Sequence, residues 1–191
     1  MKNFMSGVRT SFGLAVAAMG VVTLSGCGGA ISAASIQPGV TTVSQMEQAA
    51  GRPNMTWKNA QGKVVQAAYT NQPAGYFTFM VYFNDQGVVT RRDQVLNERN
   101  FSKVQNGMNA NDVHRILGPE RSVDHFSNLH QIDWNYGYCT DGNGRQIFAV
   151  SFDDRTMKVN GSVMTPDPYW TTGDNTEAYC VPYHSDDSFV K

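Results

Sequence analysis

Side chains able to support catalysis or hold a metal are few in this 191-residue chain. His114, His125, His130 and His184 could serve as imidazole ligands or a general base, but no two have the i, i+4 spacing that puts both rings on one helix face. Such scattered histidines fit solvated or locally satisfied positions better than a metal centre. Asp141, Gly142, Asn143 and Gly144 open like a calcium loop, yet Phe152 stands where the closing bidentate carboxylate is needed, so a connection between strands is the better reading. The pairs Asp153/Asp154 and Asp186/Asp187 fall in a turn and in a polar tail, where solvation accounts for them without acid-base work. No phosphate loop or nucleophile elbow occurs. The expectation is a protein that is not an enzyme and uses no metal or cofactor.

The cysteines say more. Lys2 and Arg9 give a positive start, and Phe12 to Leu24 form an apolar run of about a dozen residues, against the roughly 20 needed to span a bilayer. The run closes on Leu24, Ser25, Gly26, Cys27, which resembles the lipobox of bacterial lipoproteins. That resemblance implies a signal peptide over 1–26, cleavage before Cys27, and lipid attachment at Cys27 through a diacylglycerol on its thiol, with palmitate-type acyl chains. Buried acyl chains contribute about 0.8 kcal/mol per CH₂, so several together anchor firmly. The alternative is an ordinary secretory signal cut nearby, which leaves Cys27 as an odd third cysteine. By the sorting rule that reads the residue after the lipidated cysteine, Gly28 directs the chain to the outer membrane. In an oxidising exported setting Cys139 and Cys180 are expected to form a disulfide. It would close a loop of about 40 residues, with stabilisation of roughly 4 kcal/mol in the chain-entropy model. A redox role is the alternative, against which stands the absence of Cys-x-x-Cys.

The formal net charge is −1 and neither sign is clustered, which gives no support for nucleic-acid binding or a polybasic membrane patch. Residues 27–35 are small and polar and read as a flexible spacer. Beyond them the chain repeats itself. Gly39 to Pro53 corresponds to Gly107 to Pro119, with the helix ends, Gly51 and Gly118, 67 residues apart, and Phe79, Val81, Phe83 correspond to Phe148, Val150, Phe152 at an offset of 69; two blocks so spaced indicate a tandem duplication.

Helix and strand patterns recur in each copy. Asn109 is an N-cap candidate, Val113, Ile116 and Leu117 share a helical face, and Gly118-Pro119 stops the helix. Phe101 and Val104 suggest an earlier helical turn ending at Gly107. Alternation predicts strands through Ile132, Trp134, Tyr136, Tyr138, then Phe148, Val150, Phe152, then Met157 and Val159. In the first copy the strands are Val64 to Thr70, Tyr76 to Phe83 and Val88 to Val95. In the second of these, Phe77, Phe79, Val81 and Phe83 line one face, but Tyr76, Met80 and Tyr82 make the other apolar too. Either another part of the chain covers it or it is an aromatic binding surface. The expected fold class is α+β, as two tandem repeats, each with two short helices followed by a three-stranded antiparallel sheet. The expected organisation is a degenerate first repeat over 36–98, a second over 99–163, and a tail over 164–191 pinned by the disulfide.

Gly107, Met108, Val113, Leu117, Gly118 and Pro119, with the lipobox upstream and strands downstream, resemble the SmpA/OmlA domain of BamE-like outer-membrane lipoproteins. The duplication is also similar to beta-lactamase-inhibitor-protein-like architecture. The resemblance implies a non-enzymatic lipoprotein on the periplasmic side of the outer membrane, tethered by its N-terminal lipid. It also implies a protein partner there and a part in outer-membrane protein assembly or envelope integrity. The second architecture implies an alternative, an inhibitor-type or ligand-binding module using a surface formed by the two sheets. The motif caps and ends a helix, so no binding residue carries over from it. Titration of thiols in the denatured, unreduced protein should find Cys139 and Cys180 unreactive, and two reactive thiols there would show that the bridge is absent.

Overall fold

Two stretches 67 residues apart fold alike from the first helical residue onward. Helix α1, Val43–Ala50, opens on a capping box in which Thr42 accepts from the Gln45 backbone and the Gln45 side chain accepts from Thr42. Helix α3, Ala110–Leu117, opens on the same device, with Asn109 and Asp112 in the two roles. Each box satisfies two of the N–H groups that a helix start leaves unpaired. Both helices end on glycine in one unusual backbone state, φ 78, ψ −173 at Gly51 and φ 79, ψ −163 at Gly118. That region is essentially closed to residues with a Cβ.

A computed structural model describes residues 36–140, 142 and 144–168. The expected signal peptide, the spacer and most of the tail, with Cys27, Cys180, His184, Asp141, Asn143 and Asp186/Asp187, lie outside the described residues. Strands β1 Met55–Lys58, β2 Val64–Thr70, β3 Thr78–Phe83 and β4 Val89–Gln94 follow α1. Helix α2 Glu98–Phe101 and α3 come next, then β5 Ser122–Phe126, β6 Gln131–Cys139, β7 Arg145–Asp153 and β8 Val159–Pro166. The strands form two four-stranded sheets in sequential order, β1-β2-β3-β4 and β5-β6-β7-β8, antiparallel throughout. The third pairing of each sheet carries a bulge at corresponding places, Tyr82/Phe83 and Ser151/Phe152. Isolated bridges Thr42↔Val88 and Asn109↔Lys158 tie each N-cap to the last hairpin of its own repeat.

The α+β class and the tandem arrangement hold, but each sheet has four strands where three were expected. The additional strands, β1 and β5, follow directly on the helix-ending glycines. They are short edge strands: β1 alternates but has only four residues, and β5 is exposed at all five. In the first repeat α1 is the one helix among the described residues. Glu98 belongs to α2, one residue before the expected boundary, and β8 runs to Pro166, past the expected end at Val163. Met157, expected within the last strand, instead occupies the turn before it at φ 51.

Layering explains the doubly apolar strand. One face of the first sheet, with Ala67, Tyr69, Val81 and Phe83, packs on Met46 of α1. Its other face, with Trp57, Ala68 and Met80, joins Val113 and Leu117 of α3 in one cluster with Trp134, Tyr136 and Val150 of the second sheet. Helix α3 therefore lies between the sheets and is buried from both sides. Polar contacts fix its position. Trp57 Nε1 donates to Asn111 Oδ1 at 3.0 Å, and Gln66 Nε2 donates to the Arg115 carbonyl at 2.8 Å, one of the acceptors left open in a last helical turn.

Gly118 makes this contact possible. A Cβ there would stand 2.7 Å from Thr78 Cγ2 and 3.4 Å from Ala68 Cβ, whereas one at Gly51 would meet nothing within 4 Å. Thr78 is fully buried and held by its hydroxyl to Thr70 Oγ1 at 2.9 Å, so it has little room to yield. Gly51→Ala should cost about 1–3 kcal/mol from backbone strain. Gly118→Ala should cost more, because it also overpacks the seam between the repeats. Urea unfolding of both variants measures the difference; equal losses would show that α3 does not pack this closely on the first sheet.

Candidate protein-binding surface

Two consecutive side chains after α3 fix where β5 begins. Glu120 Oε2 lies 2.8 Å from Nε2 of His114 on α3, and the His114 ring stacks on Trp134 of β6 at 4.2 Å. Burial pushes the Glu120 carboxyl up, but the hydrogen bond and charge of His114, with a backbone hydrogen bond, outweigh it and hold the group below its ordinary range. Arg121 Nη1 donates to Asp167 Oδ2 at 2.6 Å. The Asp167 side chain is fully buried and also accepts from the Tyr76 hydroxyl at 2.8 Å. Burial and this bond to a carboxylate raise the Tyr76 pKa. A loop of the first repeat, the entry to β5 and the end of β8 thus meet at one carboxylate.

Beyond this anchored entry the strand lies open. Val123 pairs with Trp134 and Phe126 with Gln131 across the β5–β6 hairpin, but among the described residues β5 has no neighbour on its other side. Val123 (38% exposed), Phe126 (43%) and Leu129 (67%) are large apolar side chains in water. They are distributed over the two faces and the tip of one hairpin. The tip is held in shape by His130, in the left-handed region at φ 50. Its Nδ1 faces Asp154 Oδ2 at 3.4 Å, its Nε2 lies 3.1 Å from Arg155 Nη2, and its carbonyl accepts from the Asp154 backbone. These exposed apolar groups on a braced hairpin with an open edge make it the candidate interaction surface.

Of the sequence-derived candidates, Cys139 closes β6, while its expected partner Cys180 and the lipid site Cys27 lie outside the described residues. The three histidines among the described residues are not brought together: His114 is tied to Glu120, His125 is exposed on β5, and His130 sits at the hairpin tip. Asp153 accepts from the backbone N–H groups of Arg155 and Thr156 and the Thr156 hydroxyl, which lowers its pKa. Gly142 and Gly144 belong to the β6–β7 connection, where Thr140 N donates to the Gly144 carbonyl at 2.9 Å. Among the described residues no cluster of His, Cys, Asp or Glu could hold a metal ion. The sides that the sheets turn toward each other are filled by α2 and α3. The Glu120, Arg121 and Asp167 anchors were not legible in the sequence, because no local pattern links Arg121 to a carboxylate 46 residues away.

Residues 94–161 match the family model of the outer membrane protein assembly factor BamE domain. The resemblance to BamE-like proteins read from Gly107 to Pro119 is borne out, and its extent is that of the second repeat. No curated protein matches the chain. One solved structure similar to it is that of a DUF4309 family protein (YjgB) from Bacillus subtilis subsp. subtilis str. 168. The identity is 12%, with 69% of this chain and 82% of that chain covered, at a TM-score of 0.27.

The Glu120 carboxyl gives a pH prediction. A group held below its ordinary value of 4.5 stabilises the fold above that value, and the contribution is lost as the pH falls through the lowered one. Between about pH 5 and pH 3 the melting temperature of Glu120→Gln should fall less steeply than that of the wild type. Parallel melting curves would show that the His114 contact contributes nothing.

Proposed function

We propose that the chain is a lipoprotein tethered through Cys27 to the periplasmic face of the outer membrane, where it acts as a non-enzymatic scaffold binding protein partners in outer-membrane protein assembly. The observation that carries this reading is the BamE-domain match over 94–161, because the surface described above lies wholly within the matched residues. A rigid edge strand and hairpin with exposed Val123, Phe126 and Leu129 suit a protein-binding role, since interfaces draw on apolar side chains held in fixed positions. The lipid confines the scaffold to the membrane plane, and a Cys139–Cys180 bridge would hold the tail against the end of β6. The alternative of an inhibitor-type module with one concave surface between the sheets has less support, since α2 and α3 occupy that space.

Cys27→Ala should move the protein from the membrane fraction into the soluble fraction; a variant that still sediments with membranes would overturn the anchor. Pulldown of the detergent-solubilised wild type should recover barrel-assembly components. Recovery instead of one soluble enzyme in inhibited form would overturn the scaffold reading in favour of the inhibitor.

A further inference from the structure

We infer that β5 is a template for strand addition, taking an extended segment of a partner protein in which a Lys or Arg stands opposite Asp124, with apolar residues opposite Val123 and Phe126. The inference rests on the scaffold reading and names the class of partner that this edge accepts. All five residues of β5 are exposed and among the described residues the strand pairs with β6 alone, so half of its backbone N–H and C=O groups point outward with no ladder partner among those residues.

Charge identifies the occupant. Asp124 stands directly opposite Asp133 on β6, a like-charged cross-strand pair that is unfavourable as it stands. Each is held by an amide rather than a cation: Asn135 Nδ2 donates to Asp124 at 2.7 Å, and Gln131 Nε2 donates to Asp133 at 2.8 Å. Among the described residues neither carboxylate has an ion-pair partner. A new strand alongside β5 would place its own residue next to Asp124 on the same face, where a cation relieves the repulsion and an anion compounds it. A second copy of this chain is disfavoured on the same ground. Antiparallel pairing of β5 with itself about its centre sets Asp124 against Asp124 of the other copy, gathering four carboxylates on one face. The occupant is therefore a different protein. Since an antiparallel strand runs from opposite Phe126 to opposite Val123, its segment reads apolar, any residue, Lys or Arg, apolar.

The probe is a fluorescein-labelled peptide, Thr-Val-Thr-Lys-Val-Thr, titrated by anisotropy with the full-length, detergent-solubilised protein. The Lys peptide should bind about tenfold more tightly than its Glu counterpart, and Asp124→Lys should reverse that order. N-methylation of alternate peptide amides should abolish binding in one frame and spare it in the other, because only every second amide of an added strand faces the template. Absence of peptide binding, equal affinity for both peptides, an unchanged order in Asp124→Lys, or indifference to N-methylation would each overturn the inference. If the peptide does not bind while pulldown still recovers barrel-assembly components, strand addition fails and the scaffold reading stands. If the peptide binds and also displaces those components, strand addition is the means by which the scaffold holds its partner.

Discussion

Burial of α3 from both sides is the constraint on which the rest of the structure depends. A four-stranded antiparallel sheet with one covering helix ordinarily leaves its other face to water. Here the first sheet is apolar on both faces, and its second face is closed by a helix that belongs, by sequence, to the next repeat. Val113 and Leu117 of that helix join Ala68 and Met80 from one sheet to Trp134 and Val150 from the other. Separating the repeats would expose this cluster together with the Trp57–Asn111 and Gln66–Arg115 hydrogen bonds. The two copies of the motif therefore share one core, and Gly118 is a point of close approach between them.

Duplication followed by unequal demands accounts for how the copies differ. Both keep the capping box, the glycine helix end, four strands in sequential order and the late bulge, because these are backbone requirements of the motif itself. The packed faces diverge. The first sheet must accept helices on both sides and carries Ala67 and Ala68 side by side on β2, where small side chains allow close approach. The second sheet packs large aromatic residues against α2 and α3, with Phe101 stacked on Phe148 at 4.3 Å and edge-on to Tyr138 at 4.7 Å. Its outer side carries the hydrogen-bonded Asn135, Asp124, Gln131 and Asp133. Among the described residues only the second copy leaves an edge strand wholly exposed, and that edge lies in the BamE-like segment.

Local signals were legible where one short stretch of chain carries the whole cause. The strand expected over Val64 to Thr70 is β2 to the residue, since turn residues flank this short run on both sides. The N-cap at Asn109 and the stop at Gly118 were likewise readable, because capping is a contact between near neighbours in sequence. Strands β1 and β5 were not, since β1 is only four residues long and β5 buries too little to need an apolar pattern, so each is specified by the partner it pairs with.

The sequence by itself determined the duplication, the class of each unit and the helix ends, which rest on periodicity and spacing that survive without coordinates, and it carried the motif from Gly107 to Pro119 that resembles the BamE-like family. Tertiary structure alone decided that the apolar second face of β3 belongs to the inter-repeat core, as the alternative of chain packing there allowed, and is no aromatic binding surface. It also decided that Arg121 and Tyr76 meet on Asp167, and that an exposed strand edge next to α3 is the candidate surface. These follow from which distant segments come together. That is set by the joint burial of α3 between two sheets, a condition that no single stretch of the chain records.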